Sequence, residues 1–357
     1  MGTNQNIMKA ARWYAAKDIR VEEVAVPTPN ENQVKIAVQF AGICGSDLHE
    51  YTGGPQLIPA EKPYSLNGHV GVTTLGHEFS GIVEEVGAHV KHVKKGDRVV
   101  VEPLFKNFDS PFIAKGEYNL SEPLGFVGLT SNGGFADYTV VESYMVHKIP
   151  DSMSFEQGAL VEPAAVAVYA VLESGLQMGQ SVMVSGAGPI GLLCVQAAIA
   201  AGAATVIVTD VSESRLAKAQ EIGATKIIRA TDTNIAEQVR KITGIGVDVF
   251  IDAAGVQASF DNGIASLRNG GTAVLVALFG KPVTYNAYEQ VVRELTIKGT
   301  IAYRNIFPEV IAMIDTGRMP VEKLVTSRIT LDEIVDKGFE ALVSSPSEVK
   351  ILIDLNK

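Results

Sequence analysis

The sequence contains the three kinds of side chain that bind zinc in enzymes: a thiol, an imidazole and a carboxylate. Cys44 lies in a glycine-containing run, His77 and Glu78 follow Gly76, and Glu162 precedes a proline. One thiolate, one imidazole and one carboxylate suit a catalytic zinc that keeps a coordination position open. These residues are far apart along the chain, so their spacing alone does not establish a metal site.

Each of these residues, taken alone, has a simpler interpretation. A single cysteine such as Cys44 is more often a small buried residue. His77 could be a hydrogen-bonded loop histidine, and Glu162 could be a charge at the start of a helix. A second motif in the same chain, a glycine-rich turn, favours the interpretation of these residues as a metal site.

A glycine-rich turn follows the apolar run Ser181–Ser185 and precedes small residues in a helical pattern. In a strand–turn–helix of this type, the glycines permit a tight turn, let a pyrophosphate approach the backbone and let the helix pack closely on the strand. The N–H groups at the helix start then face the phosphates. The residues predicted to bind a dinucleotide here are Gly186, Gly188, Pro189, Ile190 and Gly191.

An acidic residue selects between the two nicotinamide cofactors. Asp210 ends the next apolar run, 19 residues after Gly191. An acid at this distance binds the adenosine ribose hydroxyls, and its charge disfavours a 2′-phosphate, so NAD is predicted rather than NADP. Arg215 lies close enough to complicate this selection and could instead stack on the adenine. Asp210 could alternatively cap the helix that begins near Ser212.

The patterning divides the chain into two parts. Up to about residue 150, alternating runs such as Gln33–Gln39 and Gly81–Val86 are separated by turn residues, which is typical of a mainly β domain. After about residue 154, apolar runs alternate with helical patterns, which indicates parallel βαβ units. The last 60 or so residues could belong to either part on their pattern alone.

Length and composition bound the possible functions. The 357 residues predict two domains, and the net charge of −10 argues against a nucleic-acid or anionic-membrane partner. Only two cysteines are present, Cys44 and Cys194, which exclude a disulfide scaffold. The uncharged stretch 174–209 is interrupted by the glycine-rich turn, so we interpret it as buried strands and a helix rather than a membrane span. We expect a cytoplasmic protein, since the first residues lack the apolar core of a signal peptide.

Over its whole length the chain resembles the zinc-dependent medium-chain dehydrogenases/reductases. The run from Gly76 to Val90 matches the zinc signature of that family, and the Cys44 motif and the glycine-rich turn follow the family's order and distances. The resemblance implies an α/β fold, with a Rossmann doubly wound parallel sheet and a GroES-like mainly β catalytic domain. The implied ranges are 8–154 with 297–357 for the GroES-like domain and 155–296 for the NAD-binding Rossmann domain.

The resemblance also implies roles for individual residues. Ser46 would exchange a proton with the substrate oxygen, and His49, which could also be an ordinary loop residue, would be the solvent end of that relay. Asp47 would orient the zinc histidine. Glu78 would bind zinc directly or through water. Cys44 and Glu162 would be catalytic as ligands of the zinc. The implied zinc ligands are Cys44, His77, Glu78 and Glu162. The further implied cofactor contacts are Val276, Leu278 and Tyr303.

Within the family, the chain is most similar to the polyol and butanediol dehydrogenases, which share the Glu162-Pro163 motif. The sorbitol-type enzymes carry Arg where this chain has Ala302, which favours a short diol over a long polyol. The expected reaction interconverts 2,3-butanediol with acetoin, and acetoin with diacetyl. The alternative is a polyol or other secondary-alcohol dehydrogenase. Zinc-free quinone reductases share the fold but lack the Cys/His/Glu set.

One feature departs from the family pattern. Many members bind a second, structural zinc through four cysteines, but the corresponding positions here are Asn107, Ser110, Ile113 and Ser121. We therefore expect one catalytic zinc and no structural zinc. By resemblance the partners are a small diol or hydroxyketone and further copies of the chain, in a homodimer or homotetramer.

Overall fold

The structure, a computed structural model, describes residues 7–345 and 347–356. The chain divides into two compact units. The second unit comprises Pro163–Ile306 and Thr316–Leu324, and the first comprises the chain up to Glu162, Phe307–Asp315 and the chain from Val325 onward. The domain boundaries predicted from sequence, after residues 154 and 296, lie somewhat earlier along the chain.

The strands are named in chain order. They are β1 Ile7–Ala15, β2 Asp18–Ala25, β3 Gln33–Gly42, β4 Thr73–Thr74, β5 Glu78–Val86, β6 Arg98–Val101, β7 Tyr138–Glu142, β8 Val146–Lys148, β9 Ser181–Ser185, β10 Thr205–Asp210, β11 Lys226–Arg229, β12 Val247–Asp252, β13 Leu267–Leu275, β14 Thr296–Gly299, β15 Val325–Thr330 and β16 Lys350–Asp354.

The helices are named in the same way. The α-helices are α1 Gly45–Gly53, α2 Phe155–Ala159, α3 Val161–Glu173, α4 Pro189–Ala200, α5 Glu213–Glu221, α6 Ile235–Thr243, α7 Gln257–Ser266, α8 Ala287–Val292, α9 Phe307–Asp315 and α10 Glu340–Ser344. Single-turn 3₁₀ helices cover Ile113–Lys115, Tyr118–Leu120, Ser143–Met145, Val321–Leu324 and Leu331–Glu333, and a π-helix covers Ile334–Phe339.

The first unit is built mainly from strands. A three-stranded sheet has the order β2-β1-β4, and a seven-stranded sheet has the order β15-β16-β3-β5-β6-β8, with β7 also paired to β3. Alternate residues of β3 are buried, among them Val34, Ile36 and Val38, because successive side chains of a strand point to opposite faces. The C-terminal strand β16 pairs with β3, so the end of the chain completes this sheet.

The second unit contains a six-stranded parallel sheet in the order β11-β10-β9-β12-β13-β14. This is the order of a doubly wound nucleotide-binding fold, in which the direction of winding reverses between β9 and β12. Strands β9 and β10 are almost wholly buried, as expected for parallel strands. The stretch 174–209 thus forms two strands and helix α4. Among the residues that the structure describes, no helix is long and apolar enough to cross a membrane.

Candidate active site

Three of the residues predicted to bind zinc meet in the first unit. One ligand atom each of Cys44, His77 and Glu78 lies within 4.8 Å of the others. Cys44 caps the N-terminus of α1, and Glu78 is the first residue of β5. Strands β3 and β5 pair with Gly42 opposite Glu78, so the start of β5 lies beside the end of β3. The antiparallel pairing therefore brings together ligands that are distant in sequence.

A glycine is required at position 42, opposite Glu78 in the paired strands, for a steric reason. A Cβ atom added to Gly42 would collide with Oε2 of Glu78 and lie 2.9 Å from Cε of Lys350. A side chain at Gly42 would therefore push the carboxylate out of the cluster.

Lys350 is a charged neighbour of the cluster that sequence reasoning missed. Its side chain is buried, forms an ion pair with Glu78 and donates a hydrogen bond of 3.0 Å to the carbonyl of Ile43. Burial opposes the charged ammonium, but the negative charges of Glu78 and Cys44 outweigh burial and raise the pKa of Lys350. One feature of the sequence could have indicated this lysine. Lys350 begins β16, and the other residues of this strand before Asp354 are buried and apolar.

His77 is held by residues of α1. Its Nδ1 lies 3.4 Å from Oδ1 of Asp47, and its Nε2 lies 3.1 Å from Oγ of Ser46. The other oxygen of Asp47 accepts a hydrogen bond of 2.9 Å from the backbone N–H of Cys44. Burial disfavours the charged imidazole, but the charges of Asp47 and Cys44 outweigh it and raise the pKa of His77 well above its usual value.

The arrangement fits a zinc ion. Among the described residues, Oδ1 of Asp47 and Nδ1 of His77 are buried without a well-formed hydrogen bond. A proton on Nδ1, directed to Asp47, would leave Nε2 as the metal-binding nitrogen, which is how ligand histidines are commonly oriented. Together with the thiol of Cys44 and a carboxylate, this gives the donor set expected for zinc.

Glu162 lies outside the closest group. It is in the first turn of α3 and is 6% exposed. Within the described part of the chain, the group whose ligand atoms all lie within 4.8 Å contains Glu78 and not Glu162. The negative charge of Glu162 nevertheless contributes to the raised pKa of Lys350, so its carboxylate acts on the same cluster.

The two residues predicted to relay a proton lie on α1. Ser46 is half-buried and His49 is exposed. Residues three apart on a helix are neighbours on one face, and His49 is the more exposed of the two. Phe126 is half-buried, and its ring centre is 6.5 Å from that of His77, so it forms an apolar wall beside the histidine.

The dinucleotide motif forms a cavity of about 420 Å³ in the second unit. Gly186, Gly188, Asp210 and Arg215 line it together with Val256. Gly186 has φ +89°, a conformation that favours glycine, and α4 begins at Pro189 with Gly188 as its N-cap. The structure thus brings the glycine-rich turn and the acid of β10 to one cavity.

Asp210 is already bonded to the backbone on both oxygens. Its Oδ2 accepts a hydrogen bond of 2.7 Å from the N–H of Ala187, and its Oδ1 accepts one of 2.8 Å from Ser212. The first bond ties the acid to the glycine-rich turn, so Asp210 also shapes the turn. Each carboxylate oxygen retains a second lone pair for a ribose hydroxyl.

The remaining predicted cofactor contacts differ in exposure. Leu278 is 69% exposed, Val276 is half-buried and Tyr303 is fully buried. None of these three lines the 420 Å³ cavity, and neither do Pro189, Ile190 and Gly191 at the start of α4. Their contact with a cofactor remains a prediction.

A buried acid fixes the cysteine-free loop that contains Asn107 and Ser121. Glu102 is 5% exposed and accepts hydrogen bonds of 2.5 Å from Tyr118 and 3.0 Å from Nε2 of His147. The ammonium of Lys106 lies 4.0 Å from the centre of the Tyr118 ring. Asn107, at a position where relatives were expected to have a cysteine, donates a hydrogen bond of 2.6 Å to the carbonyl of Glu122.

Two sequence families match the chain. Residues 30–151 match the alcohol dehydrogenase GroES-like domain, and residues 189–316 match the zinc-binding dehydrogenase domain. These two matches lie in the order that the sequence motifs indicated.

Curated relatives match over nearly the full length. The chain is 44% identical to (R,R)-butanediol dehydrogenase of Bacillus subtilis (strain 168), covering 98% of this chain and 100% of the relative. It is 39% identical to (R,R)-butanediol dehydrogenase of Neisseria gonorrhoeae, with 98% and 100% covered. It is 38% identical to human sorbitol dehydrogenase, with 89% and 88% covered.

Solved structures agree with these similarities. The crystal structure of 2R,3R-butanediol dehydrogenase from Bacillus subtilis superposes with a TM-score of 0.93 at 44% identity, covering 98% of this chain and 100% of the other. A zinc-binding dehydrogenase of Sinorhizobium meliloti 1021, bound to NADP, gives 0.90 at 31% identity, with 98% and 100% covered. An alcohol dehydrogenase of Escherichia coli CFT073, complexed with NADH, gives 0.89 at 28% identity, with 98% and 99% covered.

Proposed function

Because this chain belongs to the zinc-dependent medium-chain dehydrogenase family, as its motifs indicated, we propose that it interconverts 2,3-butanediol and acetoin with NAD(H). The observation that carries the proposal is the 44% identity to a butanediol dehydrogenase over 98% of this chain and 100% of that relative. We extend the proposal to the reduction of diacetyl to acetoin, which is the same conversion of a ketone to an alcohol.

In the proposed mechanism, Cys44, His77 and Glu162 hold a catalytic zinc, with Glu78 as a further ligand. When bound, zinc polarises the substrate oxygen and makes its proton easier to lose. Ser46 takes up that proton and passes it towards His49 at the surface. Asp47 keeps the His77 imidazole oriented through its Nδ1. A dinucleotide bound in the second unit would supply the nicotinamide that accepts the hydride of the carbinol carbon.

We propose NAD as the cofactor because of Asp210. Related structures contain NADP in one case and NADH in another, so family membership alone does not choose between them. The carboxylate of Asp210 lines the cavity and is fixed by two backbone N–H groups. Its negative charge would repel the 2′-phosphate of NADP, which supports the choice of NAD.

The variant Asp210→Asn tests this selection. It removes the charge and keeps an acceptor oxygen, so we expect the preference for NAD over NADP to narrow by about tenfold, the effect of roughly one charge interaction. The ratio of kcat/KM with the two cofactors measures the preference. An unchanged ratio would show that Asp210 serves only to cap the following segment.

A polyol dehydrogenase is the alternative, favoured by the 38% identity to human sorbitol dehydrogenase. A substrate panel with NAD discriminates the two: both butanediol enantiomers, the meso form, sorbitol, xylitol, threonine and simple alcohols. The proposal requires the highest kcat/KM for a 2,3-butanediol isomer. A higher value for sorbitol or xylitol would favour the alternative.

Three further proposals concern the state of the protein. We propose one zinc per chain, since the loop expected to bind a second zinc has no thiolates. A cytoplasmic location and a homodimer or homotetramer also remain predictions. Light scattering during size-exclusion chromatography measures the number of chains.

A further inference from the structure

Asp252 is an acid of the second unit to which the mechanism gives no role. It is the last residue of β12 and is 0% exposed. β12 pairs with β9, and the sheet changes its direction of winding between these two strands. Ligands of doubly wound sheets bind at the carboxyl ends of the strands beside this change. Asp252 therefore lies at the ligand-binding edge of the sheet.

The carboxylate of Asp252 fixes the turn that follows β12. Its Oδ1 accepts hydrogen bonds of 2.9 Å from the N–H groups of both Ala254 and Gly255. Its Oδ2 lies 2.9 Å from Oγ of Ser259, which donates to it from the first turn of α7. Ala254 and Ser259 both line the 420 Å³ cavity.

The backbone of Asp252 fixes a second segment. Its carbonyl accepts hydrogen bonds of 3.0 Å from the N–H groups of Val276 and of Ala277. These residues follow β13 and belong to the segment in which Val276 and Leu278 are predicted to contact the cofactor. One residue thus ties the turn after β12 to the segment after β13.

The same turn packs against the phosphate-binding glycines. A Cβ atom added to Gly186 would lie 2.9 Å from the carbonyl carbon of Ala253 and 2.9 Å from the nitrogen of Ala254. The N–H of Ala253 donates a hydrogen bond of 2.8 Å to the carbonyl of Ser185. A shift of the turn held by Asp252 would therefore displace Gly186 directly.

A buried carboxylate at the end of a strand lowers the stability of the protein unless hydrogen bonds replace its lost contact with water. Burial raises the pKa of Asp252, and hydrogen bonds from Gly255, Ala254 and Ser259 oppose that rise. An unpaired buried polar group destabilises a protein, whereas a fully hydrogen-bonded one makes the local structure rigid. The three donors to Asp252 thus provide rigidity at the edge of the sheet where a ligand would bind.

We propose that Asp252 is a positioning residue for the dinucleotide, holding the 253–255 turn, the 276–277 segment and Gly186 in the arrangement that binds the cofactor. The inference rests on the proposed dehydrogenase function. Asp252 acts through these backbone segments and is not itself assigned a contact with the cofactor.

Asp248 on the same strand provides a matched control. Its Oδ2 accepts hydrogen bonds of 2.8 Å from both the N–H and the Oγ of Ser181, and its Oδ1 accepts one of 2.7 Å from Arg268. Asp248 thus has as many hydrogen-bond donors as Asp252, but it lies near the amino end of β12. Its partners Ser181 and Arg268 do not line the cavity, whereas Ala254 and Ser259, the partners of Asp252, do. Substitution of either acid should lower stability, but only substitution of Asp252 should alter cofactor binding.

The experiment measures NADH binding to full-length enzyme by fluorescence titration, with the KM for NAD and the kcat measured alongside. For Asp252→Ala we expect the Kd for NADH to rise at least about tenfold, the effect of losing hydrogen bonds to a charged group. For Asp248→Ala we expect a change of no more than about twofold, at a similar loss of thermal stability. For Asp252→Ala the KM for NAD should rise more than the kcat falls.

Equal Kd values for Asp252→Ala and Asp248→Ala would overturn the inference. If Asp252→Ala does not fold, the same binding measurement on Asp252→Asn tests the inference. The amide oxygen of the Asn side chain can still accept hydrogen bonds from the N–H groups of Ala254 and Gly255, though weaker ones than the carboxylate accepts. We expect the Kd of Asp252→Asn to exceed that of Asp248→Asn by about threefold, and equality would again overturn the inference. Wild-type protein that binds no NADH would instead contradict the proposed function itself.

Discussion

At the scale of single residues, the metal cluster is a balance of opposite charges. Without a metal, the ammonium of Lys350 and a protonated His77 face the acids Glu78 and Asp47 and the sulfur of Cys44. The pKa of His77 is raised well above its usual value by Asp47 and Cys44 against the effect of burial. Because a metal must bind the neutral imidazole, zinc binding should release this proton.

The two cysteines allow a direct test of the thiolate ligand. We expect Cys44→Ser to lower the zinc content from about one per chain to near zero and to abolish turnover, since Ser is a poor zinc ligand. NADH binding should persist, because the dinucleotide cavity is formed by other residues. Zinc analysis, turnover and NADH titration are the measurements.

Cys194→Ala is the matched control for this variant. Cys194 is fully buried in α4, and burial raises the pKa of its thiol to about 12, so it is not a thiolate at neutral pH. This variant should keep its zinc and most of its turnover. Turnover that survives in Cys44→Ser would mean that the metal site is placed wrongly.

The ion pair between Lys350 and Glu78 should make the zinc-free protein sensitive to the loss of either partner. Removing one partner of a buried pair typically costs about 3–5 kcal/mol, because the other charge remains buried without compensation. Lys350→Met should therefore lower the thermal midpoint of zinc-free protein strongly. The double variant Lys350→Met with Glu78→Gln should recover much of the loss. A single variant as stable as the double would contradict this account.

At the scale of elements, the site depends on where strands end. Cys44 follows β3 and caps α1, while His77 directly precedes β5. The loop between β6 and β7 depends instead on Glu102, which follows β6 and receives hydrogen bonds from Tyr118 and His147. The hydrogen bonds of Glu102 thus fix Tyr118 of the loop and His147 beyond it.

The titration of Glu102 should make the stability of the protein depend on pH in the acid range. Burial would raise the pKa of Glu102, but hydrogen bonds from His147 and Tyr118 outweigh burial and lower it from 4.5. A lowered folded pKa stabilises the protein above the unfolded value, and this stability is lost as the pH falls through the folded value. Glu102→Gln should therefore lose about 1–3 kcal/mol at neutral pH, and the difference should shrink below pH 4.5.

Thermal unfolding as a function of pH measures this difference. Glu122→Gln in the same loop is the control, since residue 122 is exposed, and it should unfold like the wild type at every pH. If Glu102→Gln and Glu122→Gln show the same unfolding curves, Glu102 does not hold the loop.

At the scale of the whole molecule, the two proposed sites belong to different compact units. The residues proposed to bind zinc lie in the first unit, and the cavity proposed to bind the dinucleotide lies in the second. The loop that the family resemblance associates with a second zinc has no cysteines here. This absence supports our proposal of one metal site per chain.

Metal analysis of the purified protein should give about one zinc per chain. Dialysis against a chelator should remove activity together with this zinc, and added zinc should restore both. Two zinc ions per chain would contradict the single-site proposal. Full activity with near-zero zinc would contradict the catalytic role of the metal.

The motifs with local physical causes could be predicted from the sequence alone. The glycine-rich turn and the acid at the end of β10 depend on residues that are close in sequence, so the doubly wound sheet followed from the pattern and the dinucleotide site could be proposed from it. The resemblance implied Cys44, His77, Glu78 and Glu162 as zinc ligands, and the structure brings the first three within 4.8 Å of one another but leaves Glu162 outside that group.

The tertiary structure alone decided which distant groups neutralise and fix these motifs. Lys350 meets Glu78 across 272 residues because β16 pairs with β3, and nothing local to either residue encodes that pairing. The role proposed for Asp252 depends on the position of β12 beside β9. The buried position of Glu102 depends on Tyr118 and His147, which both donate hydrogen bonds to it. Such contacts depend on sheet order and chain closure, whereas the glycine-rich turn depends on the conformation of a few consecutive residues.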